Sequence, residues 1–304
     1  MATEAQANTL PPPATGQAYM DVSALEAGNL RVPLDFIVAG ASPSDFITCP
    51  SLAFSLRHSK SNTQVVFDMG VRRDLEAYPP NVQSFLNKKI YVNIKQSVAE
   101  SLFKGGIHPE QIDAVVVSHL HWDHVGDPTP FTKATFVVGE GCRDILTSGY
   151  PMNPESTILA NSIPMDRARF VTSSEFSISI GPFPHALDYF GDGSMYIVDA
   201  PGHLPGHVMI LARTSAEGSW ILLGGDAAHD YRLITGEKEV AYKVDVLGHV
   251  TCAHANKEQA VETIRRMGLL LNIPKVQVLI AHDYTWYEAN KDGPAFLPGV
   301  IPPL

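Results

Sequence analysis

Hydrophobic residues in this chain come in short runs, each closed by glycine, proline or a polar cluster. Leu34–Val38, Leu52–Leu56, Gln64–Phe67, Ala114–Ser118, Thr135–Val138, Met195–Val198, Val208–Ala212, Trp220–Leu223 and Val276–Ile280 are four or five residues long, and most are rich in β-branched or aromatic side chains. That length and content predict strands. Two segments follow a helical period instead. Ile94, Val98 and Leu102 recur at i, i+4 and i+8, which predicts a helix over Ile94–Lys104. Ala260, Ile264 and Gly268, with Val261 and Met267 beside them, predict a second over Lys257–Leu271. Asn256 is its N-cap, and Gln259 three residues on completes a capping pattern.

The mixture reads as one α/β domain spanning residues 19–304, with long loops between elements. No Gly/Ser linker or short-period repeat divides it. Residues 1–18, MATEAQANTLPPPATGQA, are polar, proline-rich and aperiodic, and predict a flexible tail. The start has neither a basic region nor an apolar stretch of the kind a secretory signal needs. No run approaches the roughly 18 apolar residues of a membrane span. A cytoplasmic protein is the expectation.

Charge and cysteine content narrow the partners. The chain carries 32 acidic against 22 basic residues, a net charge of -10, and no basic patch. Such a surface repels phosphate backbones, so nucleic acid is not expected as a partner. Cys49, Cys142 and Cys252 are odd in number and widely spaced, which argues against a disulfide framework and against CxxC metal sites.

The chemistry concentrates in Ala114–Asp127, AVVVSHLHWDHVGD. An apolar strand runs straight into His119, His121, Asp123 and His124. Extended residues at i and i+2 point the same way, so His119 and His121 can reach one metal together. A turn at Trp122, eased by Gly126, would let Asp123 and His124 face a second metal nearby. Burying four such groups without ions is costly, which disfavours a purely structural role.

The pattern resembles the metallo-β-lactamase superfamily. The resemblance rests on five elements in order: Phe67-Asp68-Met69-Gly70; HxHxDH at residues 119–124; Pro201-Gly202-His203-Leu204-Pro205-Gly206-His207; Leu222-Leu223-Gly224-Gly225-Asp226-Ala227; and Val278-Leu279-Ile280-Ala281-His282-Asp283. It implies an αβ/βα sandwich of two mixed β-sheets flanked by helices, with the site at an edge where strand-end loops meet. It also implies His119, His121 and His207 on one metal, with Asp123, His124 and His282 on the other. Asp226 bridges, Asp68 orients its neighbours, and His203 is a turn-stabilising imidazole. Imidazoles and carboxylates without thiolate suit two divalent ions, zinc first, with iron, manganese or cobalt also compatible.

Within the superfamily the layout is most similar to the N-acyl homoserine lactonases. That implies a hydrolase opening a lactone ring by attack of a metal-bridging hydroxide, with Asp123 carrying a proton to the leaving group and a small acyl lactone or ester as substrate. Those enzymes usually place a tyrosine three residues after the bridging aspartate; here His229 stands there, able to donate the same hydrogen bond or to mark a different substrate. Thioesterases and other ester hydrolases of the same fold are the alternative, and a non-catalytic metal-binding protein is the remaining class. Residues His249–His254 read as a loop before the Lys257 helix that can line the pocket, and Trp122 as packing. The apolar residues between Tyr19 and Phe46 can cover an acyl chain, though core packing explains them equally well.

Overall fold

A computed structural model describes residues 9–244 and 250–304. Two six-stranded sheets form the centre. In the first, β1 (Met20–Leu25), β2 (Ala53–His58), β3 (Gln64–Phe67), β4 (Ala114–Val116), β5 (Thr135–Gly139) and β6 (Ala168–Val171) lie in sequence order. The first two pairings are antiparallel and the last three parallel. In the second, β7 (Ile178–Ile180), β8 (Phe183–Asp188), β9 (Met195–Asp199), β10 (Val208–Arg213), β11 (Trp220–Leu223) and β12 (Val276–Leu279) also follow sequence order, with only β11–β12 parallel.

The unbroken apolar runs have a simple cause: these strands are covered on both faces. Phe67, Val116, Ile197, Ile210 and Leu223 fill the space between the sheets. Their neighbours point outward. Val66, Val115 and Phe136 meet Val98, Leu102 and Leu146, while Val198, Leu211, Leu222 and Val278 meet Ile264, Met267 and Leu270 of the helix Lys257–Leu270. The result is helices, sheet, sheet, helices, as an αβ/βα sandwich requires. Each fully buried aliphatic side chain contributes about 1.5–3 kcal/mol.

Most expected elements form, and the exceptions have local causes. The helix predicted from Ile94 begins only at Val98. Ser97 caps it, accepting from Glu100 N at 3.3 Å, while the Glu100 carboxylate accepts from Ser97 N at 2.7 Å. Cap chemistry, not the apolar period, sets that end. Leu34–Val38 is not a strand. Leu34–Phe36 forms a single 3₁₀ turn, and Val38 makes only an isolated bridge to Val240. Residues 1–8 of the expected tail lie outside the described residues. Residues 9–18, expected with that tail, lie against the domain: Leu10 packs on the second sheet's outer core, and the buried Arg213 donates to the carbonyls of Pro11 and Pro12. No helix among the described residues is long and apolar enough to cross a membrane.

A smaller three-stranded sheet, Asn29–Pro33 with Phe46–Pro50 and Tyr91–Asn93, joins the helix Pro80–Lys89 to form a satellite core. It sits beside the strand-end loops and supplies one wall of the cavity described next.

Candidate metal centre

Strand β4 ends at Val116, and the chain then leaves the sheet toward the site. Val117 N still bonds to Val137 O at 3.0 Å. Beyond it, His121 precedes a single helical turn, Trp122–Val125, which carries Asp123 and His124. Gly126 ends the turn at a φ of 44°, where a Cβ would collide with the Met69 carbonyl. Tyr78 Oη donates to Trp122 O at 2.7 Å, and its ring meets the Trp122 indole edge-on, so Trp122 packs as expected.

Two groups of donor atoms converge. In the first, His119 Nε2 lies 2.9 Å from His121 Nδ1. His203 Nε2 lies 3.1 Å from His119 Nε2 and 2.9 Å from His121 Nδ1. Nitrogens held about 2.0–2.1 Å from a tetrahedral zinc are about 3.3 Å apart, so the triangle is close to what such an ion needs. In the second group, His124 Nε2 and His282 Nε2 each lie 3.2 Å from Asp226 Oδ1, with Asp123 Oδ2 3.8 and 3.6 Å from those nitrogens. Asp226 turns its other oxygen, Oδ2, to the first group, 3.7 Å from His119 and 3.6 Å from His203. One carboxylate therefore faces both clusters.

The first cluster differs from the expected one in a single residue. His207 was expected there, and His203 stands in its place. The reason is backbone geometry. His207 already sits in the ladder, its carbonyl accepting from Ala200 N at 3.0 Å, one residue before β10. Its ring points into the core, where Nε2 accepts the Asp226 N–H at 3.2 Å. That nitrogen is occupied. His203 lies on the preceding turn, which Gly202 brings hard against the helix Lys257–Leu270 (φ 132°, where a Cβ would collide with Ala260 N). The signal available in the sequence was the position of His207 directly before a fully apolar run.

Hydrogen bonds on the far side fix how the rings face. Asp68, at a left-handed φ of 62°, accepts from Ser118 N at 2.7 Å, Ser118 Oγ at 2.8 Å and His124 Nδ1 at 2.8 Å. Ser118 Oγ in turn accepts from His119 Nδ1 at 3.0 Å. His282 Nδ1 donates to the Pro50 carbonyl at 2.8 Å. Each bond engages the outer nitrogen and turns Nε2 toward the centre, the arrangement metal-binding histidines use. Asp68 thus has the orienting position expected of it.

The electrostatics suit cations. Burial, then the neighbouring rings, hold His119 and His203 well below the usual histidine range, and burial lowers His121. Burial opposes charge on His124 too, but Asp226, Asp123 and Asp68 together lift it well above that range; Asp226 does the same for His282. Burial also works against the Asp226 carboxylate, yet His124, His282 and His229 pull it well below the usual carboxylate range. His124 Nε2 and Asp226 Oδ1 are buried without a hydrogen-bond partner among the described residues. Orphaned donors of this kind are expensive unless an ion satisfies them. The residues present fit a pair of divalent cations.

His229 Nε2 lies 3.2 Å from Asp226 Oδ2, its side chain 10% exposed. It lines a cavity of about 650 Å³ together with His121, Asp123, His203, Asp226 and His282. Leu30, Val32, Phe36, Ile37, Val82 and Phe85 give it an apolar wall, with Asp35, Asn81 and Lys243 also in the lining. His254, from the segment expected as a pocket-lining loop, does not line the cavity itself but is buried against His203 and His229. Its partner in the pattern, His249, lies outside the described residues.

A fold of this kind with this centre is that of a metal-dependent hydrolase, and residues 88–270 match the metallo-beta-lactamase superfamily model. The chain belongs to that superfamily. It is 38% identical over 232 residues to the metallo-hydrolase mfmC of Annulohypoxylon moriforme, covering 72% of this chain and 60% of that protein. It is 33% identical over 236 residues to the gamma-lactamase FDB1 of Fusarium pseudograminearum, covering 72% of this chain and 56% of that protein. The chain therefore spans less than two thirds of either relative. Among solved structures, B. thuringiensis AiiA with N-decanoyl-L-homoserine bound at the active site superposes with a TM-score of 0.71. That match covers 94% of this chain and 100% of that one, at 17% identity, and so speaks for the fold alone.

Proposed function

We propose that this protein is a dinuclear metal-dependent hydrolase that opens the ring of an acyl lactone of the N-acyl homoserine lactone type. One observation carries the reading: Asp226 divides its two oxygens between two donor clusters that face one apolar cavity. His119, His121 and His203 would hold one cation, and Asp123, His124 and His282 the other. Bound there, two divalent ions would supply a water whose pKa is lowered from about 15.7 toward about 7, and would polarise a carbonyl. The donor set suits zinc, with iron, manganese or cobalt also compatible.

The chain's own groups do the rest. The apolar wall from Leu30 to Phe85 excludes water and covers the acyl substituent, fixing the ring over the polar floor. As water adds to the ring carbonyl carbon, Asp123, in that floor, passes the proton the water gives up to the departing ring oxygen, so that one C–O bond forms, another breaks, and an alcohol and a carboxylate result. His229, beside Asp226, is placed to donate a hydrogen bond to the substrate carbonyl.

The gamma-lactamase relative favours a second reading, in which the ring is a cyclic amide and Asp123 protonates a departing nitrogen. The test is acid release in a pH-stat from an N-acyl homoserine lactone, by protein loaded with zinc, with Asp226→Ala as control. Rapid release abolished in the variant supports the lactone reading. No release from protein holding two ions overturns it and turns attention to γ-lactams and thioesters.

A further inference from the structure

A second triangle of imidazoles shares a corner with the first cluster. Ring centroids of His203, His229 and His254 are 4.8, 4.9 and 5.2 Å apart. In the triangle His119, His121 and His203 the spacings are 4.7, 4.5 and 4.7 Å. The second set is thus a slightly expanded copy of the first. One ligating atom from each of its residues falls within 4.8 Å of the others.

The second triangle also has unanswered donors. His203, His229 and His254 each bury an Nδ1 that finds no hydrogen-bond partner among the described residues. His203 is 3% exposed and His254 4%. Buried nitrogens left without partners on three adjoining rings are costly unless something binds them. The backbone holds the geometry: Ala255 N and Asn256 N donate to His203 O and Gly202 O, both at 2.9 Å, pinning the His254 segment to the His203 turn. His254 has no part in the paired centre or the cavity wall.

We propose that His229 and His254, with His203, form a third cation site for a borderline transition metal such as zinc, contiguous with the paired centre. It rests on the paired-centre reading, because it borrows His203 from the first cluster. With Nε2 on the paired centre, His203 can ligate the third ion only by giving up its Nδ1 proton to solvent and bridging as an imidazolate. That cost, together with the wider spacing, makes it the weaker site, filled only after the pair. Filling it withdraws His229 from the cavity, so an excess of zinc slows the enzyme.

The full chain is dialysed against a series of buffered free-zinc concentrations, and bound metal per chain is measured by elemental analysis. The expected curve has a plateau at two ions and a second rise to three, with His254→Gln stopping at two. A wild-type curve that ends at two overturns the third site and leaves the pair intact. A third ion retained in His254→Gln also overturns it. A first plateau below two sinks the paired centre and the third site with it. A cobalt titration of the unaltered chain needs no variant. The third equivalent should add ligand-field absorption without a thiolate band; a thiolate band would bring in Cys252 and overturn the all-imidazole assignment.

Discussion

Replacing Asp68 with asparagine removes charge from the group that orients the second cluster while leaving its shape. Oδ2 accepts two hydrogen bonds, from His124 Nδ1 and Ser118 Oγ, and Oδ1 accepts one from Ser118 N, all between 2.7 and 2.8 Å. An amide offers one acceptor and one donor, so in either orientation its NH₂ meets an N–H or O–H that needs an acceptor. A hydrogen bond to a charged group is worth about 1.5–3 kcal/mol. At about 1.4 kcal/mol per tenfold, that matches the 10- to 100-fold loss in metal affinity typical when such an orienting partner is removed. Asparagine tolerates the left-handed backbone at φ 62°, so strain does not confuse the result as alanine would. Competition for zinc against a chromogenic chelator reads the affinity directly. The expected result is a loss of 10- to 100-fold at one ion. Unchanged affinity at both would refute the claim that Asp68 aims His124 at a metal.

Other substitutions separate the roles of neighbouring residues. His203→Ala should lose one ion of the pair, whereas His207→Ala should keep both and melt lower, because the buried Asp226 N–H loses its acceptor at a cost of about 1–3 kcal/mol; elemental analysis and calorimetry decide between them. His229→Phe should cut turnover with the paired ions still bound, and an unchanged rate would remove His229 from the reaction. On the outer helix, Glu262 pairs with Arg265 at 2.7 Å and Arg266 at 2.9 Å, and the hydrogen bond from Arg265 leads in pulling its carboxyl down to about 2. A depressed carboxyl contributes above the usual carboxylate range and loses that contribution as pH falls toward 2. With its side chain 43% exposed, Glu262→Gln should cost under about 1 kcal/mol at neutral pH, and the gap from wild type in urea unfolding should narrow as pH drops.

The centre of this molecule was largely legible in its sequence, and the reasons are physical. Strands buried on both faces must be apolar throughout, so AVVV, VMILA and WILL announce themselves. Polar residues placed directly after such runs, like His119, Asp226 and His282, must come out at a sheet edge. The family resemblance then orders them. The one residue exchanged in the first donor cluster came from a question sequence spacing does not answer. His203 and His207 flank one tight turn, and only the register of β10 decides which ring faces the site and which the core. The apolar wall was half legible. Leu30, Val32, Phe36 and Ile37 fall in the segment that could cover an acyl chain or simply pack the core, and only the satellite sheet, which brings them to the cavity, decides between the two. His254 is distant in sequence from His203, and only the docking of its segment on the His203 turn brings it near.

Anomalous scattering from a crystal soaked with just enough zinc to fill the paired centre would show whether Asp226 stands between two ions. Two peaks are expected, one on each side of its carboxylate. One should lie about 2.0–2.1 Å from nitrogens of His119, His121 and His203, and the other should touch Asp123, His124 and His282. A single peak, or a peak coordinated by His207 in place of His203, would contradict that arrangement.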